Sequence, residues 1–200
     1  MLRPASKRAF TLIELLTVIA IIAILAAIII PTVGGARNSA IRAKTKAQFG
    51  QWAAAMELYR QEYGFYPAIT SGGKVDTTKF APELSGRTLA GTSVNENTAY
   101  GNRKGLNFYA LAIGDLDADG TTLVDAFGNT EIGVRVDTNR DGIINSADAG
   151  SWTTVTGLAG ESYAPTELEG AVPTNGVRAR ILFYSAGLGR DPSDLILSWQ

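Results

Sequence analysis

The residues best suited to chemistry lie in the stretch DTNRDGIINSAD, residues 137–148. Its oxygen donors take the alternate positions of a calcium loop, and they are Asp137, Asn139, Asp141, the carbonyl of Ile143, Asn145 and Asp148, with Gly142 at the tight turn. Hard oxygen ligands at this spacing let one turn wrap a calcium ion. The AGSWTTV that follows indicates a turn and a strand, whereas an amphipathic helix usually follows such loops. The sequence predicts Ca²⁺ here, and the alternative is an Asp-Gly turn that joins two strands.

A weaker match to the same pattern lies in DLDADGTTLVDA, residues 115–126. Asp115, Asp117 and Asp119 take the first alternate positions, but the acid expected at the end comes one residue early, at Asp125. The missing carboxylate is the one that closes a calcium loop. A solvated turn is therefore the favoured interpretation, and a second calcium site is the alternative.

Composition excludes several classes of site. The 200-residue chain contains no Cys and no His, which excludes a Ser-His-Asp triad, a thiol nucleophile, the usual zinc ligands and disulfides. Residues 1–64 carry eight Lys/Arg against three Asp/Glu, and residues 65–200 carry ten against sixteen. A basic beginning and an acidic remainder do not suggest nucleic-acid binding by the bulk of the chain. We therefore expect neither an enzyme nor a nucleic-acid-binding protein.

One carboxylate, Glu14, lies in the otherwise uncharged apolar run of residues 10–30. At ~1.5 Å rise per residue, a helix of this length spans roughly 30 Å, the thickness of a hydrocarbon core. A secretory signal peptide has a hydrophobic stretch of only ~7–15 residues. The length therefore favours a retained single-pass membrane helix. Cleavage of a signal peptide near VGGA, residues 33–36, remains the alternative.

Glu14 needs a partner, because an ionisable side chain is costly in lipid. A cut between Ala9 and Phe10 creates an α-amino cation at the helix start, about one turn away from Glu14. In a stack of identical helices, the carboxylate of one subunit can then pair with the amino group of the next. The alternative is a glutamate that simply reaches the lipid headgroups.

The stretch KRAFTLIEL, residues 7–15, resembles the leader and cleavage site of type IV pilins and of the pseudopilins of type II secretion. The resemblance implies that a prepilin peptidase removes Met1–Ala9 and that Phe10 is then methylated. It also puts Glu14 on the family's assembly glutamate and Pro31 on its helix-kinking proline. The residue before the cut is usually Gly in the family, whereas it is Ala9 here.

The same resemblance implies partners and a location. The partners are identical or homologous pilin-like subunits, the prepilin peptidase and an inner-membrane assembly platform. The chain is expected to cross the inner membrane once, with its C-terminal domain in the periplasm, and to enter a filament after assembly.

Three further segments are similar to the major pseudopilins, and they are YGFYP (63–67), VDAFGN (124–129) and LFYSAGLGRDPSDLILSW (182–199). In that family the last segment carries a calcium-binding loop, and Ser185, Gly187, Asp191 and Asp194 match it. The family generally supplies an Asp where this chain has Leu188-Gly189, which argues against a metal there. The loop at 137–148 instead resembles dockerin-type loops, which end in Asp.

Helical spacing places a second, amphipathic part of the helix after the membrane segment. Trp52, Met56, Tyr59 and Tyr63 share one helix face. We expect this stripe to pack on the globular domain, and a ligand-binding aromatic box is the alternative. Gly64 suits the end of the helix.

The rest of the chain is predicted to form short elements. The strand-like runs rich in β-branched and aromatic residues are 131–136, 152–156, 177–185 and 195–199. Residues 68–106 indicate loops around a short helix at 80–84, with another at 107–112. The predicted fold is α+β, a long N-terminal helix packed on a small antiparallel sheet with long loops. The predicted domains are a leader (1–9), a transmembrane assembly helix (10–30), its amphipathic continuation (31–64) and a periplasmic globular domain (65–200).

Three functions fit these observations. The first is a pseudopilin that polymerises through its N-terminal helix into the filament of a type II secretion-like system. The second is a type IV pilin of an external fibre used for adhesion, motility or DNA uptake. The third is a signal-anchored, calcium-dependent binding module. The pseudopilin-like C-terminal segment favours the first, and so does the absence of a Cys pair.

Overall fold

The computed structural model describes residues 10–200, apart from the side chains of residues 31, 32 and 149. The predicted leader, including Ala9, therefore lies outside the described residues. The chain divides into two compact units, one that runs up to Ala40 and one that comprises Ile41–Gln200.

A single long helix, α1, runs over Leu12–Tyr63 and stays helical through Pro31. Its large apolar side chains between Leu12 and Ile30 are all exposed. The helix ends where predicted, because Gly64 takes the left-handed φ of 82° and its N–H donates to the carbonyl of Arg60 at 2.8 Å.

The predicted antiparallel sheet is present in the unit Ile41–Gln200. In chain order, the strands are β1 (Thr70–Ser71), β2 (Lys74–Val75), β3 (Ile132–Val136), β4 (Val155–Thr156), β5 (Ser162–Tyr163), β6 (Ile181–Ser185) and β7 (Ile196–Leu197). The main sheet has the order β1-β2-β3-β6-β7, and β4 and β5 form a separate hairpin. Its longest ladder pairs β3 with β6 over five residue pairs, from Ile132 opposite Ser185 to Val136 opposite Ile181.

The second part of α1 supplies one side of the core. The buried hydrophobic residues of this part of the helix are Phe49, Trp52, Ala55, Met56 and Tyr59, and they pack with sheet residues that include Ile132, Val134, Phe183 and Ile196. The α+β architecture is therefore confirmed. The predicted stripe on α1 is a packing face, because three of its four residues, Trp52, Met56 and Tyr59, are fully buried in this cluster.

Gly133 on β3 has a packing reason to be glycine. It pairs with Tyr184 across the ladder, and a Cβ added to it would lie inside the Tyr184 ring. The missing side chain leaves room for the Tyr184 ring, whose hydroxyl donates to the carbonyl of Thr153 at 2.8 Å.

Of the two short helices that the sequence predicts, one is present. The helix expected at 80–84 is present as α2 (Thr77–Ser85), which is capped by Asp76 at its start and by Gly86 at its end. The prediction of a helix at 107–112 is wrong. The backbone N–H groups of Phe108 and Tyr109 both donate to the carbonyl of Leu84, so this segment is tied to the end of α2 and is not helical.

The strands are shorter than predicted, and one hairpin was missed. Val177 does not extend β6, because it pairs in an isolated bridge with Ile144. Trp152 does not extend β4, because its ring lies under the guanidinium of Arg135. The β1–β2 hairpin has only two residues in each strand, too few to show an alternating pattern in the sequence.

Candidate functional site

Glu14 lies in the first turn of α1 and forms a reciprocal capping box with Thr11. Its Oε2 accepts hydrogen bonds from the Thr11 backbone N–H at 2.8 Å and from the Thr11 hydroxyl at 2.7 Å. In return, the Glu14 N–H donates to the Thr11 hydroxyl oxygen at 3.3 Å. The Thr-x-x-Glu spacing is the sequence signature of this box, and it was not among the features predicted from the sequence.

Among residues 10–200, Glu14 is surrounded by apolar side chains and has no cation beside it. Phe10 precedes the helix and is exposed. Within residues 10–200, no Lys or Arg lies within ion-pair distance of Glu14. The capping box therefore satisfies part of the hydrogen-bonding capacity of the carboxylate, and no side chain of residues 10–200 pairs with its charge.

The loop at 137–148 is closed by its first and last acids. Asp137 is buried, and its two carboxylate oxygens accept from the backbone N–H groups of Arg140 at 2.6 Å and Gly142 at 2.9 Å. Asp148 accepts from the backbone N–H groups of Thr138 and Asn145, both at 2.9 Å. Burial by itself raises the pKa of Asp148, but these amide donors outweigh it and hold the pKa below its ordinary value.

The middle of the loop is exposed and polar. Asn139 Nδ2 donates to Asp141 Oδ2 at 3.0 Å, and the N–H of Ile143 donates to Asp141 Oδ1 at 2.8 Å. Asn145 caps a one-turn helix, α3 (Ser146–Ala149), by accepting from the N–H of Ala147 at 2.7 Å. The helix falls within the end of the loop, and the chain then continues towards β4 without a longer helix.

A buried arginine anchors the exit of this loop to the sheet. Arg135 on β3 donates to the carbonyls of Asn145, Gly150 and Ser151 at 2.8–3.2 Å. Its guanidinium lies 4.6 Å from the ring centroid of Trp152. The sequence shows Arg135 only as a charged residue within a predicted strand, and nothing near it indicates its burial or its carbonyl partners.

The donors of the 137–148 loop are of the type that calcium prefers, hard oxygens on a turn that is already closed. The left-handed φ values at Arg140 (64°) and Gly142 (83°) produce that turn. Among the residues that the structure describes, however, no group of three or more Asp, Glu, His or Cys side chains is arranged to hold a metal ion. The chemistry of the loop thus fits calcium, while its carboxylates are occupied by backbone amides.

In the weaker loop, residues 115–126, the acidic side chains bind different partners. Asp115 is buried and accepts from Gln48 Nε2 at 2.8 Å, from the Tyr109 hydroxyl at 2.7 Å and from the Ala112 N–H at 2.8 Å. Asp117 instead accepts from the N–H groups of Thr121 and Thr122 in an exposed turn, and Asp119 is exposed.

A buried polar cluster joins two of the segments that resemble pseudopilins. The Ser185 hydroxyl donates to the carboxylate of Asp125, which also accepts from the side-chain amide of Asn129 at 3.1 Å. The same amide donates to the carbonyl of Gly187 at 2.6 Å. VDAFGN is thereby bound to the beginning of the C-terminal segment.

Comparison with known proteins gives a match to a family model and matches to curated proteins. Residues 4–30 match the family model for the prokaryotic N-terminal methylation motif. The chain is 32% identical over 78 residues to the type II secretion system core protein G of Klebsiella michiganensis, which is 39% of this chain and 55% of the relative. It is also 32% identical over 73 residues to the protein of the same name from Pectobacterium carotovorum subsp. carotovorum, which is 36% of this chain and 47% of the relative.

The matches cover about half the length of these curated relatives. No solved structure matches the chain. These matches confirm the resemblance of the sequence to pseudopilins and type IV pilin-like proteins. By length and composition, α1 is the one helix among the described residues that is long and apolar enough to cross a membrane.

Proposed function

We propose that this pilin-like chain is a structural pseudopilin subunit, which polymerises through its N-terminal helix into the filament of a type II secretion-like system. One observation carries the proposal. The methylation motif at residues 4–30 includes the first part of α1, residues 12–30, whose large apolar side chains are all exposed and whose only charged residue is Glu14. Such a surface needs either lipid or neighbouring helices to cover it.

Glu14 gives the assembly its register in this proposal. Cleavage between Ala9 and Phe10 supplies a new α-amino cation at the level of the capping box. The carboxylate of one subunit pairs with the amino group of a neighbouring subunit, and the pair is satisfied only in the assembly. The apolar surface contributes most of the attraction between helices, while the ion pair selects one axial offset.

Location and partners follow from the same proposal. The chain crosses the inner membrane once, its C-terminal domain lies in the periplasm, and a prepilin peptidase removes the leader and methylates Phe10. Its further partners are identical or homologous subunits and an inner-membrane assembly platform. The external-fibre and binding-module alternatives are less favoured, because the curated relatives are named as secretion system core proteins.

Calcium at 137–148 is a second, separate part of the proposal. The ion would be held by Asp137, Asn139, Asp141, the carbonyl of Ile143, Asn145 and Asp148. Bound calcium would supply a positive charge that cross-links the two ends of the loop. The protein itself positions the loop through Arg135, which holds the loop exit on β3.

Processing is the first test of the proposed function. Intact-mass measurement of the protein from its native membrane is expected to show loss of Met1–Ala9 and one added methyl group on Phe10. A mature chain that begins at Arg37 would instead indicate ordinary signal-peptide cleavage and would refute the pilin-like function.

Assembly is the second test, and three variants separate the roles of Glu14. Glu14→Ala and Glu14→Gln should insert and be cleaved normally but give few cross-linked multimers, since both lack the charge. Thr11→Ala removes the hydroxyl of the capping box and keeps the carboxylate, so it should still assemble. Glu62→Ala, at a glutamate in the last turns of the same helix, is the matched control.

The opposite pattern would contradict the assembly role. Wild-type multimer levels from Glu14→Gln would show that the charge is not used. Equal losses from Thr11→Ala and Glu14→Ala would show that the carboxylate serves only to cap the helix.

A further inference from the structure

The end of the C-terminal loop is built around a nearly buried carboxylate. Asp194 ends a short 3₁₀ helix (Pro192–Asp194), and its side chain is 8% exposed. Arg190 donates to it from Nε at 3.0 Å, from Nη2 at 3.3 Å and from its backbone N–H at 3.1 Å. The guanidinium therefore takes both carboxylate oxygens in the bidentate geometry that arginine favours.

A second guanidinium reaches the same loop from α1. Arg42 Nη2 donates to the carbonyls of Ser193 at 2.8 Å and Leu195 at 2.9 Å. Its Nη1 lies 3.8 Å from Asp194 Oδ1. One turn later, Lys46 Nζ donates to the carbonyl of Gln200 at 2.6 Å.

The oxygens that these arginines cover are those that a calcium ion would use, a carboxylate and backbone carbonyls of one loop. Residues 185–190, which begin the loop, contain no acidic side chain. A Cβ added to Gly189 would clash with Gly157, so the chain is in close backbone contact there. The other acid of the loop, Asp191, is occupied as the N-cap of the 3₁₀ helix and accepts from the N–H of Ser193 at 2.8 Å.

We infer that Arg42 and Arg190 supply the positive charge of this loop and stand in place of the calcium ion that the matching loop of the major pseudopilins holds. The donor set does not fit a metal, since both carboxylate oxygens of Asp194 and the carbonyls of Ser193 and Leu195 already face a guanidinium group. The loop is thus tied to α1 through Arg42 and needs no ion. This inference does not depend on the proposed filament function.

Electrostatics agree with the geometry. Burial by itself raises the pKa of Asp194, but the hydrogen bonds from Arg190 outweigh it, and the pKa of that carboxyl lies below its ordinary value. The pKa of Arg190 is raised in turn, chiefly by its hydrogen bond to Asp194. Both shifts favour the charged pair.

The test measures the melting temperature of the full chain in detergent. It uses a background that distinguishes any calcium effect at this loop from one at residues 137–148. The background carries Asp137→Asn and Asp141→Asn, which keep size and an acceptor oxygen but weaken the other calcium candidate. In this background, chelator and added calcium should give the same melting temperature. Arg190→Ala should lower it by about 2–4 °C, while Arg178→Ala, at an exposed arginine outside the loop, should leave it unchanged.

A double-mutant cycle distinguishes the ion pair from general packing. In the presence of Asp194→Asn, Arg190→Ala should have a much smaller effect, because the partner charge is gone. Arg190→Lys keeps the charge without the planar fork and should lie between wild type and Arg190→Ala. Two results would overturn the inference. One is a calcium-induced rise in the background that Asp194→Asn abolishes, and the other is an Arg190→Ala effect no larger than that of Arg178→Ala.

Discussion

Trp52→Ala is expected to be the most damaging single substitution on α1. The indole is fully buried, and its ring centroid lies 5.0 Å from that of Phe80 and 5.6 Å from those of Phe49 and Phe183. Its removal leaves a cavity between the helix, α2 and the sheet, where three rings lose a partner at once. The backbone of these elements is hydrogen-bonded within them, so the cavity can collapse only in part.

The size of the effect follows from that geometry. Replacing a buried Trp by Ala costs about 3–5 kcal/mol, against a total stability of about 5–15 kcal/mol for a domain. For a chain of this size, ~1 kcal/mol shifts the melting temperature by ~2–4 °C, so a fall of roughly 6–20 °C is expected. Trp52→Phe, which keeps a ring, should lose clearly less.

Thermal unfolding of the full chain in detergent, followed by near-UV circular dichroism, measures this difference. Leu58→Ala is the control, because Leu58 lies on the same helix and its side chain is half exposed. Similar losses from Trp52→Ala and Leu58→Ala would refute the conclusion that one face of this helix belongs to the core.

Three further outcomes are expected. If residues 137–148 bind calcium, the ion at a hundred times its Kd should stabilise the wild type by about 2.7 kcal/mol, and Asp137→Asn or Asp141→Asn should reduce that gain in a chelator titration. Gly133→Ala should cost about 1–3 kcal/mol in urea unfolding, because its Cβ meets the Tyr184 ring. The folded pKa of Asp194 is lowered, so its contribution is present above the unfolded pKa of about 3.9 and is lost as pH falls through the folded value. The stability difference between wild type and Asp194→Asn should therefore shrink in acid, and a difference that stays constant with pH would contradict the ion pair.

The long helix and its packing face could be predicted from the sequence because their signals are local and repeated. The apolar run of residues 10–30 is uninterrupted apart from Glu14, and Trp52, Met56 and Tyr59 recur at helical spacing. Gly64 ends the helix through its own conformational freedom, which needs no distant contact.

The short elements depend on contacts that a local pattern does not carry. Arg42 and the carbonyl of Ser193 are 151 residues apart, and nothing near either residue signals the other. Residues 107–112 have the composition of a helix, yet two of their backbone N–H groups bond to the carbonyl of Leu84 and the segment is not helical. Arg135 was missed for the same reason, since its carbonyl partners follow the strand only after a loop.

The capping box sharpens the question of why Glu14 is an acid. A box of this type accepts glutamine at the same position as readily as glutamate, because only an acceptor oxygen is needed. Glutamine would also be the cheaper residue in an apolar segment, since it carries no charge into lipid. The box therefore accounts for the oxygen at this position and not for its charge. Residues 10–30 contain no Lys or Arg to balance that charge. The positive end of the helix dipole favours a carboxylate in the first turn, and the proposed assembly adds a full cation from outside this segment, the α-amino group that cleavage before Phe10 creates.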